Sequence, residues 1–149
     1  MHPAHFGDSA RLQVGDIVMA MGNPLGLTGS VTDGITSATG RAVTEPAAGS
    51  SPGATLPEAI QTSASINPGN SGGALVDLAG DVIGVPTLAA IEPAGDGGGA
   101  APAPGIGFAI PSNVVTNIAG QLIAHNGHVV NSHRAELGVG VVTVVGATR

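Results

Sequence analysis

Ile66-Asn67-Pro68-Gly69-Asn70-Ser71-Gly72-Gly73-Ala74-Leu75-Val76 sets a serine between Gly69-Asn70 and Gly72-Gly73, with an apolar run directly behind it. Nucleophilic serine chemistry asks for this kind of chain. Glycines open backbone angles that are closed to other residues. A tight turn can then expose a hydroxyl and aim neighbouring backbone N–H groups at one point. Such groups can hold the negative oxygen that develops when an ester or amide carbonyl is attacked. Pro-Gly-Asn-Ser-Gly-Gly is also good turn chemistry, so the hexapeptide alone fits a polar hairpin loop as well. The flanking sequence moves the reading toward catalysis.

Just upstream, residues 59–65 read as a strand feeding the serine loop. Residues 74–78 and 82–88, around Ala79-Gly80-Asp81, read as a β-hairpin. Upstream, residues 16–21 form a buried strand stopped by Gly22-Asn23-Pro24. Residues 30–41 alternate β-branched and small side chains, giving one long strand or two short ones with a kink or bulge at Gly34. Residues 106–110 are a further strand. Residues 45–57 and 93–104 are rich in Pro, Gly, Ala and Ser and read as mobile surface loops, and residues 1–15 as irregular. Pro111-Ser112-Asn113 starts the one helix, with Ser112 as N-cap. Its stripe is Val114, Val115, Ile118, Leu122 and Ile123, and Gly127 ends it. Residues 137–145 look like strand. The expectation is an all-β chain: a six- to seven-stranded antiparallel β-barrel with one C-terminal helix.

Composition narrows the function. The 149 residues suit one domain, or one domain and a fragment of a second. Only four side chains are Arg or Lys, unclustered, and the net charge is −6, which argues against a nucleic-acid partner. With no Cys, disulfides and thiolate metal sites are excluded. Two Phe are the only aromatics, so the core must be aliphatic and no cofactor can be held by stacking. No run approaches the roughly 18 apolar residues of a membrane helix. The N-terminus lacks the apolar core of a signal peptide. His2 and His5 are three apart, but Pro3 and the absence of an acidic neighbour favour a ragged terminus over a metal site. His125 and His128 suit the C-terminal end of the helix dipole. The Gly105-Ile106-Gly107 stretch has no strand-turn-helix context for phosphate. No metal and no cofactor are expected.

Four segments together resemble a chymotrypsin-fold serine protease of the HtrA (high-temperature-requirement) type. Phe6-Gly7-Asp8-Ser9 through Leu12-Gln13-Val14-Gly15-Asp16-Ile17-Val18 is similar to the linker into the second barrel. Met21-Gly22-Asn23-Pro24-Leu25-Gly26-Leu27, then Val31-Thr32-Asp33-Gly34-Ile35-Thr36-Ser37-Ala38-Thr39-Gly40-Arg41, is similar to the next strands. Residues 60–75 resemble the nucleophile segment. Gly105-Ile106-Gly107-Phe108-Ala109-Ile110-Pro111-Ser112-Asn113 resembles the pocket strand and helix start. The tail from Ala135-Glu136-Leu137-Gly138-Val139 resembles the first strand of a PDZ domain.

The resemblance implies the second barrel of the chymotrypsin fold. Residues 1–15 would be the inter-barrel linker. Residues 16–126 would be the barrel, with helix 112–126. Residues 127–149 would be a linker and the first strand of a truncated PDZ-like domain. Ser71 would be the nucleophile, the Gly69 and Ser71 N–H groups the oxyanion hole, and Asn70 the residue holding the loop. Ile106, Gly107 and Phe108 would line the specificity pocket, with Ser65 and Ile66 near its base. With no acid there, a small or medium apolar side chain is expected at the cleavage position. The loops at 45–57 and 89–104 fall at the family's regulatory positions. Location outside the cytoplasm, in the periplasm, secreted or membrane-anchored, follows from the same resemblance, as does a role in protein quality control.

One part of the pattern is missing. The triad order in this fold is His, Asp, Ser. His2 and His5 precede Ser71 without the surroundings of a catalytic histidine, and no segment supplies the acid. The chain therefore reads as the nucleophile-bearing half of a serine endopeptidase, inactive alone. Its expected partners are a peptide or unfolded-protein substrate, the missing N-terminal barrel, and a second copy through the uncovered apolar face. A non-catalytic peptide-binding module, which adds its ligand as a strand, and a pseudo-protease are the alternatives.

Overall fold

The computed structural model describes residues 3–23, 29–44, 55–67, 69–92 and 101–131. Six antiparallel strands, β1 (Ile17–Gly22), β2 (Ser30–Thr44), β3 (Thr55–Thr62), β4 (Ala74–Val76), β5 (Val82–Glu92) and β6 (Ala101–Pro111), close a barrel in the order β1-β2-β3-β6-β5-β4. One helix, α1 (Ser112–Ala124), follows. The period-2 pattern sorts the two faces. Along β1, Val18 and Ala20 point inward, while Ile17 faces out opposite Ile35 of β2. The interior is aliphatic and small: Val18, Ala20, Ile60, Ala64, Ile66, Leu75, Ile83 and Ala109, with Leu12 packed against it.

Several boundaries differ from the sequence expectation. Residues 55–57, expected in a loop, open β3, and residues 101–104 open β6. The β2–β3 pair carries register shifts between Thr36 and Val43, and Glu58, at φ 63°, lies in the last of them, between Ala59 and Leu56, the partners of Arg41 and Val43. The last of these shifts lets the strand accommodate Pro57 and Glu58 at the edge of the expected loop. In β6, Pro102 and Pro104 are tolerated because β3 pairs with β6 only over residues 107–109, leaving an edge beyond them. Gly34 carries no bulge. It stays in register with Val18, and its Cα packs on the backbone of Ala64.

The helix start also departs from expectation. Ser112 is not the N-cap. Pro111 occupies that position, with φ −59° and ψ 142°, and the buried Ser112 Oγ donates to the Gly7 carbonyl at 2.7 Å. The capping bond comes from another segment: Ser9 Oγ accepts from the Asn113 N–H at 3.1 Å, and Asn113 Oδ1 accepts from the Ser9 N–H at 3.3 Å. At the other end α1 stops at Ala124, not 126, because Asn126 already has φ 51°. Gln121 then holds the returning chain, accepting from the N–H groups of Val130 and Asn131 and donating to the Asn131 carbonyl.

The N-terminal segment is tied down rather than ragged. Phe6 bridges Val82 in parallel, Gly7 N–H donates to the Val82 carbonyl at 3.0 Å, and Val82 N–H donates to the His5 carbonyl at 2.8 Å. The acid that His5 lacks in sequence arrives in space: its Nδ1 lies 2.9 Å from Asp81 Oδ1. Asp8 caps a 3-10 helix, Ser9–Arg11, and accepts from Asn113 Nδ2 at 2.7 Å. That bond, with a second from the Ala10 amide, holds the Asp8 carboxyl below the usual aspartate range. The expected strand at 137–145 and most of both expected loops (45–54 and 93–100) lie outside the described residues.

Candidate active site

β1 ends at Gly22 and β4 begins at Ala74, so the segment between β3 and β4 crosses the barrel rim at that end. The helix starts at the opposite rim, where Pro111 pairs with Gly84 and Val82 meets Phe6. The segment lies along the β1–β2 hairpin for most of its length. Ser63 N–H donates to the Ile35 carbonyl at 3.1 Å, and Ser63 Oγ accepts from the Ile35 N–H at 3.0 Å. Ala64 rests on Gly34. The Ser65 carbonyl accepts from Thr32 Oγ1 at 2.9 Å. Further on, the Gly69 carbonyl accepts from Asn23 N–H at 3.1 Å, Asn70 abuts Gly22, and Gly73 packs on the Met21 carbonyl.

The turn at the serine needs its glycines. Gly69 has φ 106° and Gly72 has φ 78°, angles that side chains resist. Asn70 N–H donates to the Asn67 carbonyl at 3.0 Å, and Gly73 N–H to the Asn70 carbonyl at 2.9 Å. Gly72 N–H reaches across to the Pro86 carbonyl of β5 at 2.9 Å. Ser71 is left exposed at the apex, and its Oγ donates to the Thr87 carbonyl at 3.1 Å. Among the described residues, no carbonyl accepts from the Ser71 N–H.

Asn70 has the opposite environment. It is 1% exposed. Its Nδ2 donates to the Ser65 carbonyl at 3.0 Å, while its buried Oδ1 has no partner among the described residues. Ser65 itself is exposed. Ile66 is 7% exposed and belongs to the barrel core, where its Cγ1 packs directly on Gly107. Gly107 pairs with Thr62 of β3 and Ala89 of β5. Phe108, half-buried, pairs with Gln61 and Leu88, and Ile106 is exposed. The fold thus gathers Ser65, Ile66, Gly69, Asn70, Ser71 and Gly107 through direct contacts. Ile106 and Phe108 flank Gly107 on the strand next to the one that carries Thr87.

Three participants were not visible as such in the sequence. Thr87 acts through its backbone carbonyl, which no side-chain pattern announces. Gly22 read only as a strand stop, and Thr32 only as one step in an alternation. The described histidines lie elsewhere: His5 is paired with Asp81 near Val82, and His125 and His128 follow α1. Among the described residues, no group of three His, Asp or Glu gathers as a metal site, and no helix is long and apolar enough to cross a membrane. Two adjoining hollows of about 270 and 720 Å³ share Glu58, Pro111, Asn113 and Val114, at the helix end of the barrel and away from Ser71.

Comparison with known proteins agrees with this architecture. A family model described as a trypsin-like peptidase domain matches residues 1–85. The chain is 47% identical over 132 residues to the periplasmic serine endoprotease DegP of Escherichia coli K12, covering 89% of this chain and 24% of that protein. It is 41% identical over 150 residues to the serine protease PepD of Mycobacterium tuberculosis, covering 96% of this chain and 32% of PepD. Among solved structures, the HtrA-type protease AlgW with a bound decapeptide superposes with a TM-score of 0.63 at 40% identity, over 83% of this chain and 34% of that one. The chain therefore spans about a quarter to a third of the length of these relatives. With this barrel and this serine turn, the chain belongs to the HtrA-type, trypsin-like serine proteases.

Proposed function

We propose that this chain is the nucleophile-bearing half of a serine endopeptidase, in which Ser71 Oγ attacks the scissile carbonyl of an extended peptide or unfolded protein. The observation that carries the reading is the exposed Ser71 hydroxyl at the apex of a turn whose neighbour, Asn70, is buried and anchored. The N–H groups of Gly69 and Ser71 form the oxyanion hole. Asn70 holds the peptide between them. The tetrahedral intermediate places its oxygen on those two donors, and collapse expels the amine and leaves an acyl group on Ser71. Water then releases the acid.

Ser65, Ile66, Ile106, Gly107 and Phe108 form the substrate side. No carboxylate stands among them, and Ile66 covers Gly107, which supports a small or medium apolar residue at the cleavage position. The strand carrying 106–108 offers backbone groups for pairing with an extended substrate. The periplasmic relative supports a location outside the cytoplasm.

Both proton-handling groups come from a further barrel of a longer protein. In this chain the Ser71 proton is shared with the Thr87 carbonyl, an amide oxygen that accepts a hydrogen bond but cannot take the proton at neutral pH. Loss of the base costs on the order of a millionfold in turnover. The 149-residue chain is therefore expected to leave a fluorogenic apolar peptide uncleaved and to resist phosphonylation at Ser71. Addition of the separately made first barrel is expected to restore both. Turnover by the chain alone, abolished by Ser71→Ala, would overturn the assignment of the base to another barrel. Labelling at a residue other than Ser71 in the restored enzyme would overturn the nucleophile.

A further inference from the structure

We propose that Thr32 is a positioning residue for the nucleophile turn, acting through the Ser65 carbonyl and Asn70 on the orientation of the Ser71 amide. The proposal rests on the reading of Ser71 as nucleophile and adds to it a residue thirty-nine positions away in the chain.

Two donors converge on one oxygen. Thr32 Oγ1 lies 2.9 Å and Asn70 Nδ2 3.0 Å from the Ser65 carbonyl. A carbonyl has two acceptor sites, and here both are used. A single bond from Asn70 would already satisfy that oxygen, so the second bond adds position rather than satisfaction. It has a firm origin. Thr32 sits in β2 opposite Ala20, a fully buried residue of β1, with paired residues on either side. Its hydroxyl is a fixed point on the barrel wall.

Asn70 depends on that point. Its side chain has two polar ends, and among the described residues only Nδ2 has a partner. The Ser65 carbonyl is thus the sole polar anchor of the Asn70 side chain. Asn70 C=O and Ser71 N–H belong to one planar peptide unit, so a rotation of Asn70 turns the Ser71 amide with it. Gly73 N–H holds the carbonyl of that unit from within the turn, and Thr32 adds, through the Ser65 carbonyl, a tie from the Asn70 side chain to the barrel wall. The amide concerned is needed only once an oxyanion has formed, so its misalignment reduces turnover more than ground-state binding.

The test compares Thr32→Val, which keeps the shape and removes the hydroxyl, with Thr32→Ser, which restores it. The first arm measures peptide hydrolysis in the full-length protein that carries this segment, after Ser71→Ala has shown that the turnover depends on Ser71. Thr32→Val is expected to lower kcat about tenfold or more, with KM within about twofold. Thr32→Ser is expected to return kcat to within about threefold of the unsubstituted enzyme. Unchanged kcat in Thr32→Val, or no recovery in Thr32→Ser, would overturn the proposal. The second arm uses the 149-residue chain and needs no activity. The NMR resonances of the Asn70 side-chain amide and the Ser71 backbone amide should move in Thr32→Val and return in Thr32→Ser. Resonances that stay in place would sink the link itself. If full-length turnover proves independent of Ser71, the nucleophile reading fails, and the second arm alone still decides whether Thr32 sets the turn.

Discussion

The Cα of Gly22 faces the backbone of Asn70 so closely that a Cβ built on Gly22 would stand 2.6 Å from Asn70 Cα and 2.6 Å from the Gly69 oxygen. The end of β1 and the serine turn are thus in backbone-to-backbone contact. Asn23 N–H reinforces it with its bond to the Gly69 carbonyl.

Gly22→Ala should therefore displace the turn, since the atoms met are main chain and cannot swing aside. Overpacking of this kind costs about 1–3 kcal/mol. The expected result is a lower urea midpoint and, in the restored two-barrel enzyme, slower phosphonylation of Ser71. A variant with unchanged midpoint and unchanged labelling would mean that the turn is not held by β1.

Asn70 and Ser71 are adjacent in sequence but should respond differently to truncation. Asn70→Ala removes a bond from a buried side chain and leaves the Ser65 carbonyl to Thr32 alone, a loss of about 1–2 kcal/mol. Ser71→Ala removes an exposed hydroxyl and should change stability by no more than about 0.5 kcal/mol. Chemical denaturation of both variants checks the contrast. A Ser71→Ala loss as large as that of Asn70→Ala would make the serine a structural residue.

Asp8 gives the fold a pH dependence of known sign. Its hydrogen bond from Asn113, then that from the Ala10 amide, lowers its folded-state pKa below the unfolded value. The protonated form is thus relatively favoured in the unfolded chain. The contribution is fully present above the unfolded value and is lost as pH falls through the lowered folded value. The advantage of the unsubstituted chain over Asp8→Asn, measured by urea midpoint, should hold from neutral pH into mild acid and vanish at the acid end. A gap that persists unchanged there would show that the carboxylate charge is not what ties residues 8–10 to the helix.

Much of this architecture was legible from local pattern. The apolar run at residues 16–21 announces a strand, though not that Ile17 faces out, and the glycines around Ser71 announce a turn that side chains resist. What escaped was long-range. Ser112 has the chemistry of an N-cap, yet Gly7 takes its hydroxyl and Ser9 supplies the cap from about a hundred residues upstream. His5 looked unpartnered because Asp81 is 76 positions away. Residues 101–104 looked like loop because Pro102 and Pro104 argue against a strand, and only the partial cover of β6 by β3 makes room for them. Ser71 could be picked out by its neighbours in sequence. Its hydrogen-bond acceptor, a backbone carbonyl on β5, could not.

The outer face of the β1–β2 hairpin carries the last prediction. Ile17 and Ile35 are cross-strand partners at 51% and 41% exposure, and Val31, opposite Met21, is at 53%. Met19 and Met21 lie on the same face, which holds one carboxylate, Asp33. Side chains exposed singly, such as Ile123, expected in the buried helix stripe and 84% exposed, are ordinary, but an apolar face of this continuity promotes association. We expect the 149-residue chain to self-associate through this face, with sedimentation giving a mass above the monomer at micromolar concentration. Ile17→Ser with Val31→Thr should shift it toward monomer without loss of the barrel's circular dichroism, because both side chains lie outside the core. Addition of the first barrel should compete with self-association if the same face receives it. A monodisperse monomer for the unsubstituted chain would show that the hairpin face needs no cover. Persistent association of the double variant would move the contact to another surface.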